Sequence, residues 1–181
     1  MNVGWIDCET FSKYNLPDVG TDVYSRNCEI ILASFALNDD PVNLWEVGED
    51  PSEVIELLSV ADILIAHNVW FEFNVFEHAD WCHRPIEDWH CTMAQAYAHC
   101  LPAKLEMLCR VLGVAEEDQK KEGKKLINKF CKPQRKGNRL TKEHLPEEWE
   151  QFREYAVYDI TSMRECYRRM PRVNLNAGVG V

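Results

Sequence analysis

From Val3 to Val47 the chain reads as strand after strand, and from Pro51 onward as helix alternating with strand. That change of period limits the folds open to it more than any other feature. Val3–Glu9, Glu29–Leu37 ("EIILASFAL") and Val42–Val47 ("VNLWEV") are apolar runs, and Asn38, Asp39, Asp40 and Pro41 supply a turn between the last two. The expected product is an antiparallel meander. Pro51–Val60 then reads as a helix with proline at its start, Asp62–Ala66 ("DILIA") as a short strand, and Phe71–Trp81, Cys91–Leu101, Lys104–Leu112 and Pro146–Met170 as further helices. Three early strands followed by strand–helix alternation imply an α/β chain with a mixed central sheet covered by helices.

With 181 residues the chain suits one domain with a sizeable core. Its longest apolar run, "IILASFAL", is far short of a membrane span, and the N-terminus lacks the basic-then-apolar order of a signal peptide. No membrane association is expected, and the expected location is the cytoplasm. The eight cysteines contain no CxxC pair and are scattered through the apparent strands and helices, which favours reduced thiols over a disulfide framework. In "WCHRPIEDWHC", Cys82, His83, His90 and Cys91 are potential zinc ligands, but their spacing matches no common finger.

The net charge of −10 is unevenly spread. Between Lys120 and Lys142 ten basic residues face a single acid, a local +9 that leaves −19 for the rest of the chain. Such a segment is either a solvated loop or a contact for phosphate.

Four carboxylates stand where a structural protein would avoid them. Asp7 and Glu9 are two apart on the first strand and so share one face, where like charges about 4 to 6 Å apart repel by roughly 1 to 4 kcal/mol. Glu72 precedes Val75, Phe76 and Ala79 at helical spacing, on the side those residues bury, where a carboxylate must be protonated, paired or bound to metal. Its helix begins after Asn68, whose amide suits an N-cap. In the last helix Trp149, Phe152, Ala156, Ile160, Met163 and Tyr167 form the apolar stripe, with Asp159 just off it and Tyr155 one turn before Asp159. If the four acids converge, they suit two divalent cations, and all-oxygen ligands favour Mg²⁺ or Mn²⁺ over zinc.

"DCE", "NVWFE" and "YAVYD", in that order, resemble the three motifs of the DEDD-type 3′ to 5′ exonucleases with Tyr-x-x-x-Asp in the third. "KKEGKKLINKFCKP" and "WEQFREYAVYD" are most similar to the proofreading exonuclease domain of bacteriophage-type family A DNA polymerases. The resemblance runs to about Met170 and implies an exonuclease domain over 1–170 with a tail at 171–181. It implies an RNase H-like fold, a five-stranded mixed sheet in which three antiparallel strands precede parallel ones. It further implies that Asp7, Glu9 and Asp159 hold one Mg²⁺ or Mn²⁺, that Asp7 bridges to a second helped by Glu72, and that Tyr155 orients the attacking water. Thr10, Asn68 and Phe71 would line the pocket for the terminal nucleotide. Lys124, Lys125 and Lys129 are assigned to the DNA backbone upstream of the 3′ end.

The implied activity is metal-dependent release of nucleoside 5′-monophosphates from single-stranded DNA or a frayed 3′ end, in proofreading or DNA processing. A separately encoded DNA polymerase is a candidate partner, and the location becomes the host-cell cytoplasm if the protein is phage-encoded. The chain departs from the usual motif in carrying Glu72 where the wider group has Asp. It also ends with no room for a polymerase, which points to a free-standing nuclease or a separated proofreading domain. Two rival readings are a catalytically silent module that binds DNA or docks on a polymerase, and an RNA-directed exonuclease, since nothing in the motifs tests for a 2′-hydroxyl.

Overall fold

The computed structural model describes residues 1–114 and 119–171, apart from the side chains of 119–122 and Lys136. The expected tail therefore lies almost wholly outside the described residues. No helix among them is long and apolar enough to cross a membrane.

The fold is α/β and consistent with the RNase H-like expectation. Five strands, β1 (Val3–Ser12), β2 (Cys28–Leu37), β3 (Asn43–Glu46), β4 (Ile63–Ala66) and β5 (Trp89–Cys91), form one sheet in the order β3-β2-β1-β4-β5. The β1–β2 and β2–β3 pairs are antiparallel, and β1–β4 and β4–β5 are parallel. Among the described residues seven α-helices flank it: α1 (Leu16–Ser25), α2 (Ser52–Val60), α3 (Val69–His78), α4 (Thr92–Ala98), α5 (Leu105–Leu112), α6 (Gln119–Phe130) and α7 (Pro146–Arg169).

The alternation along β1 divides the core. Ile6 and Cys8 pack with α2 and α3 on one face, through Val54, Leu58, Val69, Val75 and Phe76. On the other face Trp5 meets Ile160 and Met163 of α7, while Leu126 and Phe130 of α6 join Trp149, Phe152 and Ala156. Each Val, Leu, Ile, Phe or Met among them contributes roughly 1.5 to 3 kcal/mol by leaving water. The apolar stripe expected in the last helix is the buried one, except that Tyr167 is only partly covered.

Three elements depart from the sequence reading. Helix α1 was not expected, because Gly20, at φ 76°, interrupts it. Strand β5 is three residues inside the cysteine–histidine segment, too short to show a period. The first half of the lysine-rich stretch is not a loop but α6, whose Leu126 and Phe130 are buried against α7.

Candidate metal centre

Two features of β1 open the site. Its pairing with β4 covers only Val3, Gly4 and Trp5, so the β4 side of residues 7–12 has no neighbouring strand. Its pairing with β2 shifts between Glu9 and Thr10, and the bulge puts the consecutive residues Ile31 and Leu32 of β2 on the same face. Asp7 and Glu9 project toward α6 and α7, while Thr10 projects toward α1 and α3.

Asp7, Glu9 and Asp159 each bring one carboxylate oxygen to within 4.8 Å of the others. Glu72 reaches the neighbourhood from the first turn of α3, which starts just past the end of β4; it lies outside that group of three yet is only 4% exposed. Its Oε2 has no hydrogen-bond partner. No lysine or arginine forms an ion pair with Asp7, Glu9 or Glu72 among the described residues. The acids therefore perturb one another. Burial lifts Asp7 to about 6. Burial first, then Asp7 and Asp159, push Glu9 well above the usual carboxylate range, and burial followed by Asp7 does the same to Glu72.

Such a cluster is expensive without a cation, since at an effective dielectric of about 20 each unit-charge pair near 4 Å costs about 4 kcal/mol. An unpartnered buried carboxylate oxygen beside three converging oxygen donors fits a hard divalent ion. The triad of Asp7, Glu9 and Asp159 could bind a metal.

Two side chains tune it. The Tyr155 phenol donates to Asp159, and burial together with the charges of Asp159 and Glu9 holds its ionisation far above the ordinary value, so it stays a neutral donor. Cys131, just past α6, donates its thiol to Glu9 Oε2 at 3.5 Å.

Clefts open on both sides. One, of about 270 Å³, is lined by Glu9, Thr10, Leu16, Pro17, Tyr24 and Phe71 among others; Thr10 Oγ1 lies 3.0 Å from the Tyr24 hydroxyl, and the Tyr24 and Phe71 rings are 5.9 Å apart. The other, of about 280 Å³, holds Tyr155, Asp159, Lys104 and Lys124. Ile127 of α6 borders both.

Most of the expected site residues thus meet around the bare edge of β1, and three do not. Asn68 is exposed and lines neither cleft; it occupies the N-cap position of α3 without the expected side-chain bond, because its backbone carbonyl takes the Phe71 N–H instead. Lys125 is exposed and lines neither cleft. Lys129 is engaged in an ion pair with Glu148 that ties α6 to α7. Arg139 and Lys142 are likewise paired, with Glu29 and Glu46, so part of the basic charge is already neutralised. The potential zinc ligands are dispersed: Cys82 is in the core, His83 pairs with Asp80 and Glu77, His90 bonds Gln95, and Cys91 caps α4.

Reading by sequence missed Tyr24, Lys104 and Cys131. For Tyr24 a signal existed, since proline at the start of "LPDVGTDVY" marks a helix beginning. The other two depend on how α5 and α6 pack against α7, which no local pattern encodes.

An alignment of 180 positions, covering 92% of this chain, is 32% identical to a DNA polymerase of Bacillus phage SP02. The chain is similar to part of a phage polymerase. It spans 28% of that polymerase's length. No family model matches the chain.

Proposed function

We propose that the protein is a metal-dependent 3′ to 5′ exonuclease that removes nucleoside 5′-monophosphates from single-stranded DNA ends. The observation that carries this reading is the convergence of Asp7, Glu9 and Asp159 within 4.8 Å, with the unpartnered Glu72 Oε2 beside them. Likeness to a phage DNA polymerase and the order of the three motifs support DNA as the substrate.

Asp7, Glu9 and Asp159 would hold one Mg²⁺ or Mn²⁺, with Asp7 and Glu72 toward a second; when bound, such ions lower the pKa of water and neutralise charge on the leaving oxygen. The chain's own groups position the reactants. The cleft of Thr10, Tyr24 and Phe71 takes the terminal nucleoside, whose base can lie against the Phe71 ring. Its volume of about 270 Å³ is of the order of a single nucleoside. The neutral Tyr155 hydroxyl orients a water in line with the scissile bond. That water gives up a proton to solvent as its oxygen bonds to phosphorus, the bond from phosphorus to the upstream 3′ oxygen breaks, and the 3′ oxygen takes up a proton from solvent, so that one proton passes net from the attacking water to the leaving oxygen.

Digestion of 5′-end-labelled single-stranded DNA and RNA with Mg²⁺, Mn²⁺ or EDTA tests this. Stepwise shortening from the 3′ end, 5′-monophosphate products and silence in EDTA are expected, with DNA preferred. Cleavage that survives EDTA or requires a free 5′ end would overturn it.

Tyr155→Phe keeps the ring and removes the proposed water-positioning hydroxyl. Its single-turnover rate should fall about tenfold to a thousandfold while DNA affinity stays within about twofold. A rate equal to wild type would make Tyr155 structural.

The charge assignments separate the lysines. Lys124, beside Asp159, and Lys125 should bind backbone phosphates, so replacing both with alanine should weaken binding and reduce the salt slope by about 0.7 for each phosphate left without its lysine. Lys129→Ala should instead loosen the pair with Glu148 and leave that slope unchanged. Titrations of a single-stranded oligonucleotide at several salt concentrations decide between them.

A further inference from the structure

A glycine in the middle of a helix weakens it, and α6 carries one at Gly123 among lysines that otherwise favour a helix. The surroundings give the reason. A Cβ built on Gly123 would lie 2.4 Å from Tyr155 Cε2, 2.6 Å from Cδ2 and 3.0 Å from Cζ. No methyl group sustains such contacts, so the missing side chain is what lets the α6 backbone rest on the edge of that ring.

The ring has little freedom to yield. It lies parallel to Phe152, with centroids 6.4 Å apart and 7° between planes, and Phe152 is fully buried and stacked in turn on Phe130 of α6. Its hydroxyl is committed to Asp159. α6 is held in place independently, by Leu126 and Phe130 in the core and by Lys129 on Glu148.

We infer that Gly123 is a positioning residue for Tyr155: α6 acts as a wall that fixes the phenol on Asp159, and only glycine brings that wall close enough. The inference rests on the role proposed above for Tyr155. A methyl group at 123 must tip the ring or lift the helix, and either moves the hydroxyl from the place where it would direct water.

The test is a cycle of Gly123→Ala, Tyr155→Phe and the double variant, each assayed by single-turnover cleavage of single-stranded DNA in Mg²⁺ and by DNA binding in EDTA. Gly123→Ala should lower the cleavage rate about tenfold to a hundredfold, with affinity within about twofold. In the Tyr155→Phe background the same change should alter the rate less than about twofold, because the hydroxyl it displaces is already gone. Equal losses in both backgrounds would show general damage to helix packing and overturn the inference, as would a Gly123→Ala rate equal to wild type.

Spectra of protein carrying ring-¹³C tyrosine give a readout that needs no activity. The Tyr155 signal, identified by its loss in Tyr155→Phe, should shift in Gly123→Ala while Tyr14 and Tyr97 stay in place. An unmoved Tyr155 signal overturns the inference even if wild type proves inactive, an outcome that would sink the proposed function separately. If Gly123→Ala does not fold, Gly123→Ala with Tyr155→Ala should restore folding by removing the clashing ring; failure to restore it overturns the inference as well.

Discussion

Asp159→Ala and Asp7→Ala are each expected to reduce cleavage of single-stranded DNA by about a thousandfold or more in saturating Mg²⁺. A divalent ion supplies several kcal/mol of transition-state stabilisation, and each 1.36 kcal/mol is a factor of about ten. Both residues belong to the group whose oxygens lie within 4.8 Å of one another, so removing either takes away one of three converging donors. Stability should move the other way. In EDTA, removing one member of a like-charged cluster relieves repulsion, and the melting temperature of Asp7→Ala should match or exceed that of wild type despite the cavity it leaves. Steady-state cleavage and thermal melts, each with and without Mg²⁺, check the pair of effects. A variant that keeps more than about a tenth of wild-type turnover would remove that residue from the proposed metal centre.

Glu72→Gln is expected to lower cleavage roughly a hundredfold, about 2.7 kcal/mol, and to change how stability responds to pH. Asp7, Glu9 and Glu72 all have folded-state pKa values above their unfolded ones, so the metal-free folded protein keeps protons that the unfolded chain releases. Their contribution to stability therefore falls as pH rises, for Asp7 across the window from 3.8 to about 6, with the two glutamates extending the fall upward. Glutamine occupies the same space and cannot lose that proton, so the upper part of the decline should be shallower in Glu72→Gln. Mg²⁺ should stabilise wild type more than the variant at about pH 8, since a ligand that binds the fold more tightly stabilises it more. Melting curves in EDTA from about pH 4 to 8 and a Mg²⁺ series test this. A difference in melting temperature between metal-free wild type and Glu72→Gln that stays constant over that range would contradict the assignment of these acids as a buried, mutually repelling set.

The longer reach of Glu72 bears on the same experiment. It stands outside the 4.8 Å group, on a helix that approaches past the end of β4 rather than on the face occupied by the other three. Glu72→Asp would draw the carboxylate back by one carbon–carbon bond, about 1.5 Å. Activity above that of Glu72→Gln but below wild type would show that the extra methylene matches this chain's helix placement.

Local sequence was enough for whatever depends on neighbours along the chain. The spacing of Asp7 and Glu9 places them on one face of any strand, Tyr155 and Asp159 fall one turn apart in any helix, and Val75 and Phe76 commit Glu72 to a buried side. The order of strands and helices likewise reached the mixed sheet, because periods of about two and 3.6 residues are written directly into apolar positions. The three-residue β5 and the glycine-broken α1 escaped because neither is long enough, or regular enough, to display a period.

Distances between elements were decided by the tertiary structure alone. That β4 stops alongside Trp5 and leaves Asp7 and Glu9 beside a bare edge follows from sheet register, which is set by long-range pairing. That Lys129 serves Glu148 while Lys124 borders Asp159 follows from the rotation of α6 on α7. Gly123 is the sharpest case. In the sequence it is a weak point in a helix; in the fold it is the gap into which the edge of Tyr155 fits, because close packing is a property of surfaces that meet only after the chain has folded.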